Sequence, residues 1–256
     1  MTARVTEQNI HIGTSGWHYA HWCGPFYPEK FPSSKMLRWY IERFDTVEIN
    51  NCFYRLPTEE AVASWRDQTP PGFRFAVKAS RYLTHRKRLR EPENAIDNFL
   101  PRMEVLGPKL GPVLFQLPPR WNANPERLEQ LLKILPRTHR YAFEFRDPSW
   151  HQLPVYEVLR RYNAAFCIYE LAGFQSPIEI TADFIYIRLH GPGEKAYQGS
   201  YTGSQLGQWA RRANSWSKSL EAIYFYFDND QAGFAASNAL ELKRQIYGPS
   251  NRTAAA

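Results

Sequence analysis

The stretch DFIYIRLHG, residues 183–191, decides the fold of this chain of 256 residues. Side chains alternate between the two faces of a strand. The apolar face of this strand carries Ile185, Ile187 and Leu189. The opposite face ends in polar groups, namely Tyr186, Arg188 and His190. Such a strand needs a layer of helices on its apolar side and an enclosed polar space on the other, an arrangement that α/β barrels provide.

Seven other runs of β-branched and aromatic residues have the length of buried strands. They are residues 10–13, 46–50, 73–79, 112–117, 140–145, 164–169 and 222–227. Helical patterns lie between most of them, at 33–44, 58–68, 92–107, 125–135, 153–162, 203–219 and 231–246. We expect Ser33 or Ser34 to cap the first of these helices and Thr58 to cap the second. The segment 171–181 is too short for more than one or two helical turns.

Eight strands that alternate with helices predict an α/β fold, a single (β/α)8 TIM-like barrel, whose usual length is about 250 residues. The barrel domain is expected to cover residues 10–247, between a polar lead at 1–9 and a disordered tail at 248–256. A doubly wound open sheet is the alternative, but that fold often carries a glycine-rich phosphate loop. The only candidate for such a loop, Gly-Pro-Gly at 191–193, lacks the required spacing.

Composition excludes some functional classes and favours others. No apolar run approaches the length of a membrane-spanning helix, so we expect no membrane partner. The cysteines Cys23, Cys52 and Cys167 form no CxxC pair and are expected to be reduced thiols of a cytoplasmic protein. The formal net charge of +7 favours anionic partners.

Alternation along six of the strands gives their polar side chains one common face. Near the carboxyl ends of the strands this face carries Glu48, Lys78, Gln116, Glu144, Arg188 and His190. Reactive sites of TIM barrels lie at that end, so these groups should converge there. Two interpretations follow. The cluster is a reactive site, because neighbouring ionisable groups shift one another's pKa, or it is a structural network that pairs the glutamates with Lys78 and Arg188.

A family resemblance covers nearly the whole chain. Its motifs are TSGW (14–17), EINNCFY (48–54), FAVKASRYLTH (75–85), FQLPP (115–119), EFRDPSW (144–150), IRLHG (187–191), YxGxY (197–201) and YFDND (226–230). In this order they resemble the DUF72 family, also called the YecE-like proteins. The resemblance implies a TIM barrel but no assigned activity. Asp228-Asn229 departs from the Asn pair usual in the family and adds a carboxylate at the rim.

Our leading hypothesis is an enzyme that acts on a small polar molecule with a phosphate or carboxylate group. Glu48 and Glu144 are the candidate proton-transfer groups, with His190 assisting. Lys78 is the fourth catalytic candidate, as a general base or Schiff-base nucleophile, because burial near another cation lowers a lysine pKa. A salt bridge to the glutamates is the alternative role for Lys78. The reaction class, whether hydrolase, lyase or isomerase, stays open.

The candidate substrate-binding residues share a place at the expected mouth of the barrel. They are Asn50, Tyr54, Arg81, His85, Gln116, Arg146, Arg188, Tyr197, Tyr201, Asp228 and Asn229. The segment 81–90 is rich in arginine, and forked guanidinium groups suit phosphate and carboxylate. A solvated basic loop is the alternative interpretation of this segment.

Three other functions are weighed against this hypothesis. Glu48 and Glu144 could cleave a sugar bond, with the rim aromatics Trp17, Trp22, Phe53, Tyr54, Trp150, Tyr197 and Tyr201 stacked on the sugar. A divalent metal could bind to Glu48, Glu144, His190 and Asp228 and support phosphoester hydrolysis or isomerisation. Lys78 and Arg188 argue against a cation there, so no metal or cofactor is predicted. The chain could also be a non-catalytic module that binds a small anion or single-stranded nucleic acid.

Overall fold

Eight parallel strands form a nearly closed barrel in the computed structural model, which describes residues 9–248. The strands of the barrel are β1 (Ile10–Thr14), β2 (Thr46–Ile49), β3 (Arg74–Lys78), β4 (Leu110–Leu117), β5 (Tyr141–Phe145), β6 (Ala165–Leu171), β8 (Phe184–Leu189) and β9 (Ala222–Phe227). The label β7 belongs to a short strand outside the barrel, Phe174–Gln175. Their order around the barrel is β1-β9-β8-β6-β5-β4-β3-β2. The predicted strands and the predicted single (β/α)8 barrel are confirmed.

Helices cover the outside of the barrel. They are α1 (Met36–Ile41), α2 (Asn51–Tyr54), α3 (Glu59–Asp67), α4 (Glu93–Glu104), α5 (Pro125–Ile134), α6 (Leu153–Arg161), α7 (Gly203–Trp216) and α8 (Phe234–Tyr247). Thr58 caps α3 as predicted, because its hydroxyl accepts a hydrogen bond from the Ala61 amide at 3.3 Å. Ser33 and Ser34 do not cap α1; they lie in a 3-10 turn before it. The one-turn helix α2 was not predicted.

A two-strand hairpin replaces the helix that would follow β6. The short strand β7 (Phe174–Gln175) pairs antiparallel with the end of β6. Ala172 and Gly173 form the turn between them, and both have positive φ angles, of 50° and 76°. Two left-handed residues suit a tight hairpin whose twist matches that of its strands. The hairpin brings Leu171 and Phe174 to the carboxyl-terminal mouth.

The predicted alternation of the strands is confirmed. Apolar side chains of the outward face pack under the helices in the larger core cluster. The inward face is filled near its base by Ala76, Leu114, Ala142, Ala165, Cys167, Phe184, Tyr186, Ala222, Tyr224 and Tyr226. The hydroxyl groups of Tyr226 and Thr46 lie 2.7 Å apart across this interior. The packed base leaves the charged groups at the carboxyl-terminal mouth.

The barrel closes through a short seam between β1 and β2. One bridge joins Ser15 to Glu48, and the Gly16 amide donates to the Glu48 carbonyl at 2.8 Å. Below it the two backbones come very close, since a Cβ atom on Gly13 would lie 2.2 Å from the Thr46 carbonyl oxygen. Glycine at position 13 is therefore a requirement of closure.

Some predictions for the chain ends lie outside the described residues. The polar lead predicted at 1–9 and the disordered tail predicted at 248–256 lie outside the described residues, except for Asn9 and Gly248. The lead and the tail therefore stay predictions. Within 9–248, no helix has the length and apolar character needed to cross a membrane. The three cysteines have free thiols, as expected.

Candidate functional site

Arg188 lies at the centre of the barrel mouth and binds three carboxylates. Its Nη2 donates to Glu48 at 2.8 Å and to Asp228 at 3.1 Å, and its Nη1 donates to Glu144 at 2.7 Å. Burial lowers the pKa of this guanidinium, but the three negative charges outweigh burial and raise the pKa well above its ordinary value. The predicted convergence of Glu48, Glu144 and Arg188 is confirmed.

Both carboxylate oxygens of Glu48 accept hydrogen bonds from neighbouring side chains. Its Oε1 accepts hydrogen bonds from Ser15 Oγ at 2.6 Å and from Arg188. Its Oε2 accepts one from the Tyr186 hydroxyl at 2.6 Å. The carboxylate is fully buried. This arrangement is that of a structural ion pair, and it leaves Glu48 poorly placed to exchange a proton with a bound molecule.

Glu144 is bound between two arginines. Arg146 Nε donates to its Oε1, and Arg188 donates to its Oε2. Burial raises the pKa of Glu144, whereas the charges of Arg146 and Arg188 lower it more strongly, so the pKa is well below its ordinary value. Glu144 is therefore an ionised anchor for the two guanidinium groups.

The hydrogen-bond partners of His190 determine which of its ring nitrogens carries the proton. Its Nδ1 lies 3.0 Å from Asp228 Oδ2, and its Nε2 lies 3.0 Å from Arg146 Nη2. A guanidinium only donates hydrogen bonds, so Nε2 is the acceptor and the proton on Nδ1 is donated to Asp228. The Nε2 lone pair that a proton shuttle needs is engaged by Arg146. In this geometry His190 positions Arg146.

Lys78 has no such partner, although it is nearly buried. No carboxylate of residues 9–248 forms a salt bridge with it, because Glu48 and Glu144 are bound by Arg188. Its Nζ lies 4.3 Å from the centroid of the Phe53 ring. Burial, and then the charge of Arg188, lower the pKa of Lys78 to about 8. The salt-bridge alternative for Lys78 is therefore wrong.

A cavity of about 430 Å³ lies next to this cluster, and we call it the Arg146 cavity. Its walls are Gln116, Pro119, Arg146, Pro148, Tyr169, Leu171, Phe174 and Tyr197. The Arg146 guanidinium lies 5.1 Å from the centroid of Tyr169. Its Nε and Nη2 bind Glu144 and His190, while Nη1 has no hydrogen-bond partner in the described part of the chain. The Nη1 edge of this positioned guanidinium is therefore available to a ligand.

A second cavity, of about 360 Å³, lies against the basic segment, and we call it the Arg81 cavity. It is lined by Cys52, Phe53, Tyr54, Leu56, Ser80, Arg81, Tyr82, Arg86, Asn94, Ala95 and Asn98. Residues Tyr82–Arg86, predicted as part of a loop, form a π-helical turn, a rare element that often occurs at functional sites. The rings of Tyr54 and Tyr82 are 79% and 51% exposed, so they are open to a stacking partner.

His85 does not add a positive charge to the mouth at neutral pH. Its ring packs edge-on against Phe53, and its Nδ1 lies 2.9 Å from Thr84 Oγ1. Burial and the neighbouring charge of Lys78 lower the pKa of His85 to about 4. Its predicted part in anion binding would have to be that of a neutral imidazole.

Three other candidates lie outside the walls of both cavities. Tyr201 is buried, and its hydroxyl accepts a hydrogen bond from the Gly191 amide at 3.1 Å. Asn229 Nδ2 donates to the Gly199 carbonyl at 2.8 Å. These contacts support the loop 191–201, which carries Tyr197 into the Arg146 cavity. Asn50 precedes α2, and its Oδ1 is buried without a partner in the described region.

Two alternative chemistries find little support in this geometry. Trp17, Trp22 and Trp150 are buried in the core and cannot stack on a sugar. The carboxylates proposed to bind a metal surround the Arg188 guanidinium instead. No group of three or more His, Cys, Asp or Glu side chains within 9–248 is arranged to hold a metal ion.

Sequence reasoning missed much of the Arg146 cavity. Tyr169 lies on the inward face of β6, in register with Arg188, and the same alternation rule would have found it. Leu171 and Phe174 reach the cavity through the β6–β7 hairpin, for which the only signal was the shortness of segment 171–181. Of the two partners of Glu48, Tyr186 was placed on the inward face by the alternation of its strand, whereas nothing in the sequence pointed to Ser15.

Comparisons with known proteins agree with this architecture. Residues 11–255 match the family model described as "Protein of unknown function DUF72". The chain is 27% identical to the UPF0759 protein YunF of Bacillus subtilis, with 91% of this chain and 93% of that protein covered. It is 33% identical to the UPF0759 protein YecE of Escherichia coli, over 55% of this chain and 50% of that protein.

Solved structures give the same fold. A DUF72 family protein from Thermotoga maritima is 29% identical, with a TM-score of 0.84 over 93% of this chain and 98% of that one. A DUF72 family protein from Enterococcus faecalis is 20% identical, with a TM-score of 0.78 over 93% and 95% of the two chains.

Proposed function

The chain belongs to the DUF72 family, and we propose that it is an enzyme that acts on a small molecule bearing a carboxylate or phosphate group. The observation that carries this proposal is Arg146, a nearly buried guanidinium on the wall of a cavity of about 430 Å³, whose Nη1 has no hydrogen-bond partner among residues 9–248. Guanidinium N–H groups such as those on Nη1 bind carboxylate and phosphate with directional, charge-assisted hydrogen bonds. A cavity of this size is in the usual range for small-molecule sites.

The groups around Arg146 fix its orientation before any ligand arrives. Glu144 binds Nε and His190 binds Nη2, so two of the three guanidinium nitrogens are held. Arg188 in turn holds Glu144. A side chain that is locked in this way loses little conformational freedom on binding. In this proposal Glu48, Glu144 and His190 build the site, and Lys78 is the group free to act in the chemistry.

The rest of the Arg146 cavity favours an organic anion over a bare ion. Tyr169, Phe174 and Tyr197 supply aromatic surface around the charge, and Gln116 supplies an amide. Apolar walls with a few polar groups are typical of sites that bind small organic molecules. We therefore assign the carbon skeleton of the substrate to the aromatic walls and its acid group to Arg146.

A second candidate function rests on the Arg81 cavity. Its arginines Arg81 and Arg86 lie beside the exposed rings of Tyr54 and Tyr82. Positive groups next to exposed aromatic rings can bind single-stranded nucleic acid through phosphates and stacked bases. In that case the chain would be a binding module, and its affinity would fall steeply with salt.

Thermal unfolding with added ligands tests the two functions. We expect acetate, inorganic phosphate or a sugar phosphate to raise the Tm of the wild-type protein and of Arg211→Met, a control on the exposed surface of α7. The rise should be absent in Arg146→Met. An equal rise in all three proteins would contradict the Arg146 site. A rise with oligonucleotides only, abolished by Arg81→Ala, would favour the binding module.

A further inference from the structure

Two lysines of the chain are buried to the same extent, and only one is bonded. Lys78 and Lys109 are each 9% exposed. The Lys109 ammonium donates to the carbonyl oxygens of Arg66 and Thr69 and to the Thr69 hydroxyl. The Lys78 ammonium makes no hydrogen bond or salt bridge to any residue of 9–248. Burial of an ammonium is unfavourable unless it is paired, so Lys109 has a structural explanation and Lys78 has none.

The surroundings of Lys78 raise the fraction of its neutral form. Burial and the like charge of Arg188 lower the pKa more strongly than Glu144, Glu48 and Asp228 raise it. The Nζ atom also lies 4.3 Å from the centroid of the Phe53 ring. With a pKa of about 8, roughly a tenth of the molecules carry a free amine at pH 7, against well under a thousandth for an ordinary lysine. A neutral amine is a nucleophile for carbonyl carbon.

Lys78 and Arg146 lie on either side of one strand. Lys78 on β3 is the register partner of Leu114 on β4. Gln116, two residues further along β4, is the partner of Glu144 on β5 and lines the Arg146 cavity. Strands β3 and β5 are therefore about 10 Å apart, and Arg146 lies four residues, or about 13 Å, beyond Ala142, the β5 residue level with Lys78. Two long side chains that reach toward each other and one small molecule can span this separation.

We propose that the Lys78 amine forms an imine with the carbonyl carbon of a small oxo acid whose acid group is bound by Arg146. The inference rests on the proposed function for the anionic group and deepens it by naming the substrate class. A compact molecule is sufficient, because the side chains of Lys78 and Arg146 themselves cover most of the distance across β4.

The step balances without an oxidant or a metal. The Nζ lone pair of the neutral amine forms a bond to the carbonyl carbon, and one Nζ proton passes to the carbonyl oxygen to give a carbinolamine. The hydroxyl group then takes up a proton from solvent, the carbon–oxygen bond breaks and water leaves, while Nζ keeps its second hydrogen in the protonated imine. The protonated imine then withdraws electrons from the neighbouring carbon, which supports loss of a proton or of a carbon substituent there. Among the reaction classes left open above, this favours lyases and isomerases.

Reduction with borohydride tests the proposal on the whole chain. The protein is incubated with pyruvate, glyoxylate or acetaldehyde, reduced, digested and examined by mass spectrometry. We expect pyruvate or glyoxylate to label Lys78 far more than surface lysines. The label should be lost in Lys78→Arg and kept in Lys109→Arg, whose folding is checked by circular dichroism. Labelling of Lys78 no stronger than that of surface lysines would overturn the imine.

The variant Arg146→Met separates the imine from the anion site. If both hold, this variant loses labelling by pyruvate but keeps labelling of Lys78 by uncharged acetaldehyde. Lys78 labelled equally by pyruvate with and without Arg146 would support the amine and contradict the acid-binding role. Pyruvate that binds through Arg146 but never labels Lys78 would contradict the imine and leave the proposed function standing.

Discussion

Arg188 illustrates at the scale of one residue why an arginine lies at the barrel centre. Its two terminal nitrogens bind the carboxylates of Glu48 on β2, Glu144 on β5 and Asp228, which follows β9. A lysine presents one point of charge and could not meet all three at these separations. Because Arg188 binds these carboxylates, no carboxylate within the described part of the chain pairs with Lys78. The unpaired state of Lys78 thus follows from the geometry of its neighbour.

The two buried lysines should respond oppositely to the same substitution. A shift of the Lys78 pKa from 10.5 to about 8 corresponds to about 3 kcal/mol of destabilisation of the folded protein. This applies at a pH where Lys78 is protonated in both the folded and the unfolded protein. We expect Lys78→Met to stabilise the protein at pH 7 by up to that amount. Lys109→Met should destabilise it by about 2 kcal/mol, because it leaves carbonyl groups unpaired. Urea unfolding measures both; a loss of stability in Lys78→Met would contradict this account.

The pH dependence of the free energy of unfolding gives a second measurement of Lys78. The folded pKa of Lys78 lies below the unfolded one, so the unfolded chain binds more protons between about pH 8 and 10.5. The free energy of unfolding of the wild-type protein should therefore rise relative to that of Lys78→Met as the pH increases through this window. The groups that face Lys78 are Arg188, Glu48, Glu144, Asp228 and His85, and they are the same in both proteins. A constant difference across the window would exclude Lys78 as the titrating group.

At the scale of elements, the sequence predicts which side chains of a strand point inward, but it does not predict the shapes of the segments that connect the strands. Alternation is a local property of a strand, so the sequence predicted that Glu144 and Arg188 would meet inside the barrel. The wall of the Arg146 cavity depends on the β6–β7 hairpin and the loop 191–201, whose shapes come from turns and long-range contacts. Those shapes could not be read from residue patterns, and neither could the absence of a partner for Lys78.

The loop 191–201 provides a prediction for one element. Gly191 has a φ angle of 109°, and a Cβ atom there would lie 2.2 Å from the Gln198 carbonyl oxygen. Gly191→Ala should therefore displace the loop and Tyr197 and weaken anion binding at the Arg146 cavity at least tenfold. Gly193 lies in the same loop with open space around it, so Gly193→Ala is the matched control. Calorimetric titration that finds equal affinities would show that this loop does not shape the site.

At the scale of the whole molecule, closure of the barrel depends on the contact between Gly13 and Thr46. We expect Gly13→Ala to lower the free energy of unfolding by 2 kcal/mol or more, because its methyl group would overlap the Thr46 carbonyl oxygen. Gly72, which has no atom within 4 Å of its Cβ position, provides the control, and Gly72→Ala should be neutral or slightly stabilising. Similar unfolding midpoints for the two variants would mean that the seam opens at little cost.

The pairing of β1 with β9 also constrains the order in which the chain can fold as it is made. The first strand, Ile10–Thr14, is in register with residues Ile223–Phe227 near the other end of the sequence. Synthesis proceeds at about 5–20 residues per second, so β1 waits for ten seconds or longer before its main partner leaves the ribosome. During that interval its only barrel neighbour is β2, reached through one bridge. The nascent protein must keep an unpaired apolar strand from aggregating until translation is almost complete.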